Sequence, residues 1–99
     1  MPSQTPLLSL DSLSLLLSDA TRWRALRELA KGEALPVSEL GRRVGRTANA
    51  MSKHMAVMCR VGVAQVGFGR LYGLVPAFRP VAGKIDFGHC VMRLDTPLE

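Results

Sequence analysis

The chain has 99 residues, 13 Lys and Arg against 8 Asp and Glu, a formal charge of +5, and 47% apolar residues. That length gives one domain with a modest core that gains from a partner, the apolar share excludes a disordered chain, and the charge favours a polyanionic partner. No run of about 18 apolar residues is present to span a membrane, and the two distant cysteines, Cys59 and Cys90, exclude a disulfide framework and fit a cytoplasmic protein with free thiols.

Residues 1–9 read as a flexible N-terminal arm. The leucine-rich stretch that follows has no basic flank or cleavage site before it, so it is not a secretory signal. Residues 10–18 predict a helix with Leu on more than one face. Such a helix needs burial on several sides, and in a small domain the second surface is another subunit. Asp19 is a good N-cap for a helix over 20–31. Its core stripe is Trp23, Leu26 and Ala30, with Ala25 and Leu29 beside them and Arg22, Arg24 and Arg27 on the other faces. Gly32 ends it.

A short helix follows over 36–44, with Val37, Leu40 and Val44 on one face. Gly41 inside it costs about 1 kcal/mol against Ala, but a small residue there lets the next helix approach closely. Gly45 makes the turn and Thr47 caps the next helix. Met51, Met55, Met58 and Gly62 form its inward stripe, which leaves Ala48, Asn49, Ser52, Lys53 and Ala56 outward. Two β-like runs, 63–66 and 71–75, are joined by the turn Gly67-Phe68-Gly69-Arg70. Residues 76–83 connect to a last strand over 85–94. On it Ile85, Phe87, His89, Val91 and Arg93 share one side. Leu98-Glu99, in the tail 96–99, fits a cloning remnant.

Two helices joined by a short Gly-containing turn are the DNA-binding helix-turn-helix pattern, and the hairpin after them would be its wing. The expected fold is therefore α+β, mostly α: one winged helix-turn-helix domain over 10–95, with a β-hairpin wing and a C-terminal β-strand. It is expected to be a homodimer through 10–18 and 84–95. Short donors and acceptors on an inserted helix read base edges. Asn49, Ser52 and Lys53, with Thr47 at the helix start, are the base-reading candidates. Arg42, Arg43 and Arg46, and Arg70 at the wing tip, are the phosphate and wing candidates. Tyr72 fits wing packing and His54 a structural hydrogen bond.

The run Leu17-Ser18-Asp19-Ala20-Thr21-Arg22-Trp23-Arg24-Ala25-Leu26-Arg27 resembles the opening of the arsenic-repressor (ArsR) family of bacterial winged-helix regulators. So do Val37-Ser38-Glu39-Leu40, Gly45, Ala50-Met51-Ser52-Lys53-His54-Met55, Arg60, Gly62-Val63 and Gly69-Arg70-Leu71-Tyr72. The resemblance spans 10–75. It implies a dimeric transcription factor on operator DNA in the bacterial cytoplasm, at the nucleoid. The second helix of the pair would lie in the major groove, and the wing on the flanking backbone or minor groove. The family's paired-cysteine metal positions hold Pro36 and Ser38 here, so that site is absent. Family members commonly end in a helix, whereas 85–94 reads as a strand.

Other function classes have less support. Paired catalytic carboxylates, a Ser-His-Asp arrangement and a phosphate-cradling loop are missing, so neither an enzyme nor a cofactor site is expected. His89 and Cys90 point to opposite faces of a strand and do not share a metal. No small-molecule or metal effector is evident. Two alternatives stay open. One is a winged module that docks protein rather than DNA. The other is a thiol-based redox regulator, if Arg60 lowers the Cys59 pKa.

Overall fold

The computed structural model describes residues 8–78, 81–88 and 90–94. The expectations for residues 1–7, for His89 and for the tail 96–99 lie outside the described residues. Four helices come first: α1 (Leu10–Leu17), α2 (Ala20–Ala30), α3 (Val37–Val44) and α4 (Ala48–Arg60). Two antiparallel hairpins follow: β1 (Ala64–Val66) with β2 (Tyr72–Leu74), and β3 (Lys84–Asp86) with β4 (Val91–Arg93). The chain is thus α+β and mostly helical among the described residues, in the order the sequence suggests. No helix among them is long and apolar enough to cross a membrane.

Local chemistry sets the helix boundaries. The Asp19 carboxylate accepts from the N–H groups of Thr21 (2.8 Å) and Arg22 (3.3 Å) and so starts α2. Ser9 Oγ caps α1 through Ser12 N–H, and Thr47 Oγ1 caps α4 through Ala50 N–H. Helix α2 is the hub, touching α1, α3, α4 and β2. Its Ala25, Leu26, Leu29 and Ala30 are buried as expected. Trp23 only packs against the edge of that core, and the Arg27 guanidinium lies over its ring, 5.3 Å from the centroid. Arg27 is not a freely solvated side chain, since its Nη1 is buried without a hydrogen-bond partner.

The turn between α3 and α4 is tight. The carbonyl of Gly41 accepts from the N–H groups of both Gly45 and Arg46, each at 2.8 Å. Gly45 sits at φ 84°, a left-handed conformation that closes the helix and suits only a residue without Cβ. Gly41 has a different reason to be glycine. A Cβ there would lie 2.6 Å from the Arg46 carbonyl oxygen and 3.3 Å from Met51 Cγ.

The structure departs from the sequence reading at four places. The single strand expected over 85–94 is a hairpin. Asp86 Oδ1 accepts from Gly88 N–H at 2.9 Å and Gly88 takes φ 90°, so the chain reverses there. Ile85 and Phe87 are still buried, but Val91, expected on their side, is exposed. Leu8 and Ser9, expected in the flexible arm, belong to the fold: Leu8 is buried and its N–H donates to the Phe87 carbonyl (3.1 Å), and Ser9 caps α1. Gly62 is not part of the methionine stripe: α4 ends at Arg60, and Gly62 is exposed at φ 90°. Finally, Leu35, unassigned by the sequence pattern, pairs with Tyr72 through two 2.8 Å backbone hydrogen bonds, an antiparallel bridge on the far side of β2 from β1.

The Gly41 contact is testable. Gly41→Ala is expected to lower stability by about 1–3 kcal/mol in denaturant melts, as overpacking does, although Ala is the better helix former by about 1 kcal/mol. A variant as stable as the parent would show that α3 and α4 do not meet at this point.

Candidate nucleic-acid interface

Helix α4 has two opposed faces. Met51, Met55 and Met58 are fully buried, whereas Thr47, Asn49, Ser52, Lys53, Ala56 and Arg60 are exposed. Asn49, Lys53, Ala56 and Arg60 repeat at i, i+4, i+7 and i+11, so one outward stripe runs the length of the helix. No hydrogen bond or ion pair among the described residues engages the side chains of Asn49, Ser52, Lys53 or Arg60. The base-reading candidates therefore share one open face, with Thr47 at its start. Its hydroxyl is committed to the cap, 3.1 Å from Ala50 N.

The four candidate arginines have different surroundings. Arg43 is held by three carboxylates: Glu39 (2.8 Å), Glu33 (3.0 Å) and Glu28 (3.4 Å). It clasps α3 to the end of α2 and to the loop between them. Arg42 forms a two-pronged pair with Glu39, through Nε at 2.9 Å and through Nη2. Arg42 is mostly solvated, so this pair exchanges readily for another anion. Arg46 donates to Thr21 Oγ1 (3.2 Å) and to the Gly45 carbonyl (3.3 Å), which ties the turn to the start of α2. Arg70 is exposed at the wing tip, in a left-handed conformation with φ 60°, and its guanidinium has no partner among the described residues.

His54 has the structural role the sequence suggests. Its Nδ1 lies 3.1 Å from Arg22 Nη1. Arginine can only donate, so Nδ1 accepts and the ring proton is on Nε2. Arg22 also donates through Nε and Nη2 to the Leu15 carbonyl (3.1 and 2.9 Å) and so links α1, α2 and α4.

Cys59 departs from the redox expectation. Partial burial pushes its thiol pKa up, opposite to what a reactive thiolate needs.

Two features were missed in the sequence. Arg60 completes the α4 stripe, and the helical spacing from Lys53 was the available signal. The second is charge segregation: residues 40–85 contain eight of the thirteen basic residues and none of the eight acidic ones. Among its exposed cations, Lys53, Arg60 and Arg70 have no ion-pair partner among the described residues.

Compared with known proteins, the chain matches no family model, no curated protein and no solved structure.

Glu39 is the anion on which the arginine clasp turns. Hydrogen bonds from Arg42 and then Arg43 hold its carboxyl at about 2, against an ordinary value of 4.5. A depressed carboxylate pKa stabilises the fold above the ordinary value, and that contribution is lost as pH falls through the folded value. The Tm difference between the parent and Glu39→Gln is therefore expected to be constant above about pH 5. It should shrink from pH 4.5 downward and vanish near pH 2. Thermal melts across that range check it, and a difference independent of pH would remove Glu39 from the clasp.

Proposed function

We propose that the chain is a winged helix-turn-helix regulator that binds a specific double-stranded DNA sequence as a homodimer. It acts most simply as a repressor, by occupying a promoter. The observation that carries this reading is the outward face of α4: short polar side chains and two cations, open along its length, in a segment without a carboxylate. An ordinary solvated helix face more often carries Glu and Lys in pairs.

On this reading α4 lies in the major groove. Asn49 pairs bidentately with adenine, Lys53 reaches guanine, and Ser52 contacts a base edge or phosphate. Arg42, Arg60 and Arg70 meet phosphates and fix register without carrying sequence information. Arg43 and Arg46 hold α3 and the turn in place and add to the local potential. The β1–β2 hairpin is the wing, with Leu35 bridged to the outer edge of β2.

The dimer surface is α1 together with β4. Leu10 is 64% exposed, with Leu15 and Leu17 also open on the same helix and Val91 open on β4. The sheet of β3 and β4 has only these two strands among the described residues, so β4 can pair with its copy across a twofold axis. The resemblance to arsenic-repressor proteins supports the same assembly in a bacterial cytoplasm, without their paired-cysteine site.

The exposed α1 leucines also fit a module that docks protein and ignores DNA. Salt separates the two readings. A DNA complex making several phosphate contacts weakens steeply as salt rises.

Selection of bound sequences from random duplex DNA is expected to return a two-fold pattern with half-sites about 10 base pairs apart or a multiple of it. On that DNA, Asn49→Ala should cost about 1–3 kcal/mol and relax one position of the site. Lys53→Ala should also weaken binding. If it contacts phosphate rather than guanine, it should instead lower the salt slope by about 1. Recovery of no preferred sequence would end the proposal, and Asn49→Ala binding like the parent would remove Asn49 from the interface.

A further inference from the structure

The tip of the first hairpin carries a large aromatic ring with nothing beneath it. Phe68 is 102% exposed. The chain's other phenylalanines, Phe78 and Phe87, are buried, and Trp23 and Tyr72 pack against the core. A ring this open gains nothing from the fold. It removes apolar area from water only when something outside the chain covers it.

The turn that holds Phe68 is short and constrained. Gly67 N–H donates to the Leu71 carbonyl (2.9 Å), and Arg70 N–H donates back to the Gly67 carbonyl (3.0 Å). Gly69 and Arg70 are both left-handed, at φ 76° and 60°. Arg70 is the only non-glycine residue with a positive φ among the described residues. Below the tip, Leu35 and Tyr72 exchange two backbone hydrogen bonds, so the hairpin stands on a fixed base. An aromatic ring and a cation are thus carried at the end of a short, braced loop.

Charge selects the occupant. Arg70 is exposed two residues from Phe68 in the same turn, no carboxylate occurs between residues 40 and 85, and Glu33, which lines the groove that Phe68 also lines, is paired with Arg43 at 3.0 Å. An anionic backbone lining a stack of planar bases accepts a flat apolar ring next to a cation. The minor groove of duplex DNA offers both, and apolar side chains enter it by partly unstacking a base step.

We infer that Phe68 is a wedge: on DNA binding its ring enters the minor groove beside the α4 contact, partly unstacks one base step and bends the duplex, with Arg70 on the adjoining phosphate or groove floor. The inference rests on the DNA-binding reading above. It adds a source of specificity that needs no base-edge hydrogen bond. Pyrimidine–purine steps such as TA and CA unstack most easily and should be enriched where the wing lands.

The test uses the full chain and the duplex selected with it. 2-Aminopurine placed in turn at positions flanking the α4 footprint should brighten at one position per half-site when the parent protein binds. Donor and acceptor dyes at the duplex ends should report bending. Phe68→Ala is expected to abolish both signals and weaken binding roughly tenfold, the effect of losing one aromatic–base contact. Its melting temperature should not fall, because the ring is fully exposed. Phe68→Trp should keep the brightening. If the parent binds without brightening or bending, or if Phe68→Ala keeps both, the wedge is wrong while the DNA reading stands. If the parent selects no duplex at all, both fall together.

Discussion

The placement of α4 depends on the close approach of two backbones at Gly41. The Gly41 carbonyl receives two N–H groups from the turn, and the space a side chain would need is taken by the Arg46 carbonyl and by Met51. This contact fixes where α4 begins and its rotation about its own axis. With Met51 set against Gly41, successive residues fall at the helical step, and Met55 and Met58 follow it inward. Asn49 and Lys53 are then carried outward by the same geometry. Rotating α4 by one residue would turn Ser52 into the core and bring methionine toward water. The composition of the two faces and the tightness of the turn are therefore one constraint.

Electrostatics divides the cations into two sets. Glu28, Glu33 and Glu39 draw in Arg43, and Glu39 also draws in Arg42, so acidic and basic groups neutralise one another where α2 meets α3. Arg46 is held by neutral oxygens of Thr21 and Gly45. Lys53, Arg60 and Arg70 lack such partners among the described residues. The second set contributes its full charge to the field that reaches a distant polyanion, since paired surface charges cancel within a Debye length of about 8–10 Å. Arg42 lies between the two sets, because its pair with Glu39 is mostly solvated.

The sequence was most legible where periodicity and capping chemistry coincide. Asp19, Thr47 and Gly45 announce helix ends by side-chain or backbone chemistry that acts within three residues, and the structure uses each as read. The methionine stripe has a strong period and is buried where α4 is helical. The reading failed where the decisive interaction is long-range. Leu35 pairs with Tyr72, 37 residues later in the chain, and no local pattern marks it. The run 85–94 alternates well enough for one strand, and the reversal rests on a single Asp86–Gly88 hydrogen bond. The α4 face was legible from spacing alone. The carboxylates around Arg43 were not, because Glu28, Glu33 and Glu39 come together only once α2 and α3 are packed.

The two hairpins show how environment decides the fate of similar sequence. Each has three-residue strands, and a hairpin that short is marginal in water by itself. The second is stabilised from within: Ile85 and Phe87 enter the core, Leu8 donates to the Phe87 carbonyl, and Gly83 N–H donates to the Ala30 carbonyl (2.8 Å) at the end of α2. The first is held at its base: Ala64 and Leu74 enter the core against α4 and α2, Leu35 pairs with Tyr72, and Val75 N–H donates to the Val63 carbonyl (2.9 Å). Beyond that base the Phe68 ring is fully exposed. A buried phenylalanine side chain gains about 1.5–3 kcal/mol over an exposed one, so a fold selected for stability alone would cover Phe68 or replace it. The ring stands where the chain's internal sources of stability run out, and its energetic return has to come from a surface that the chain itself does not supply.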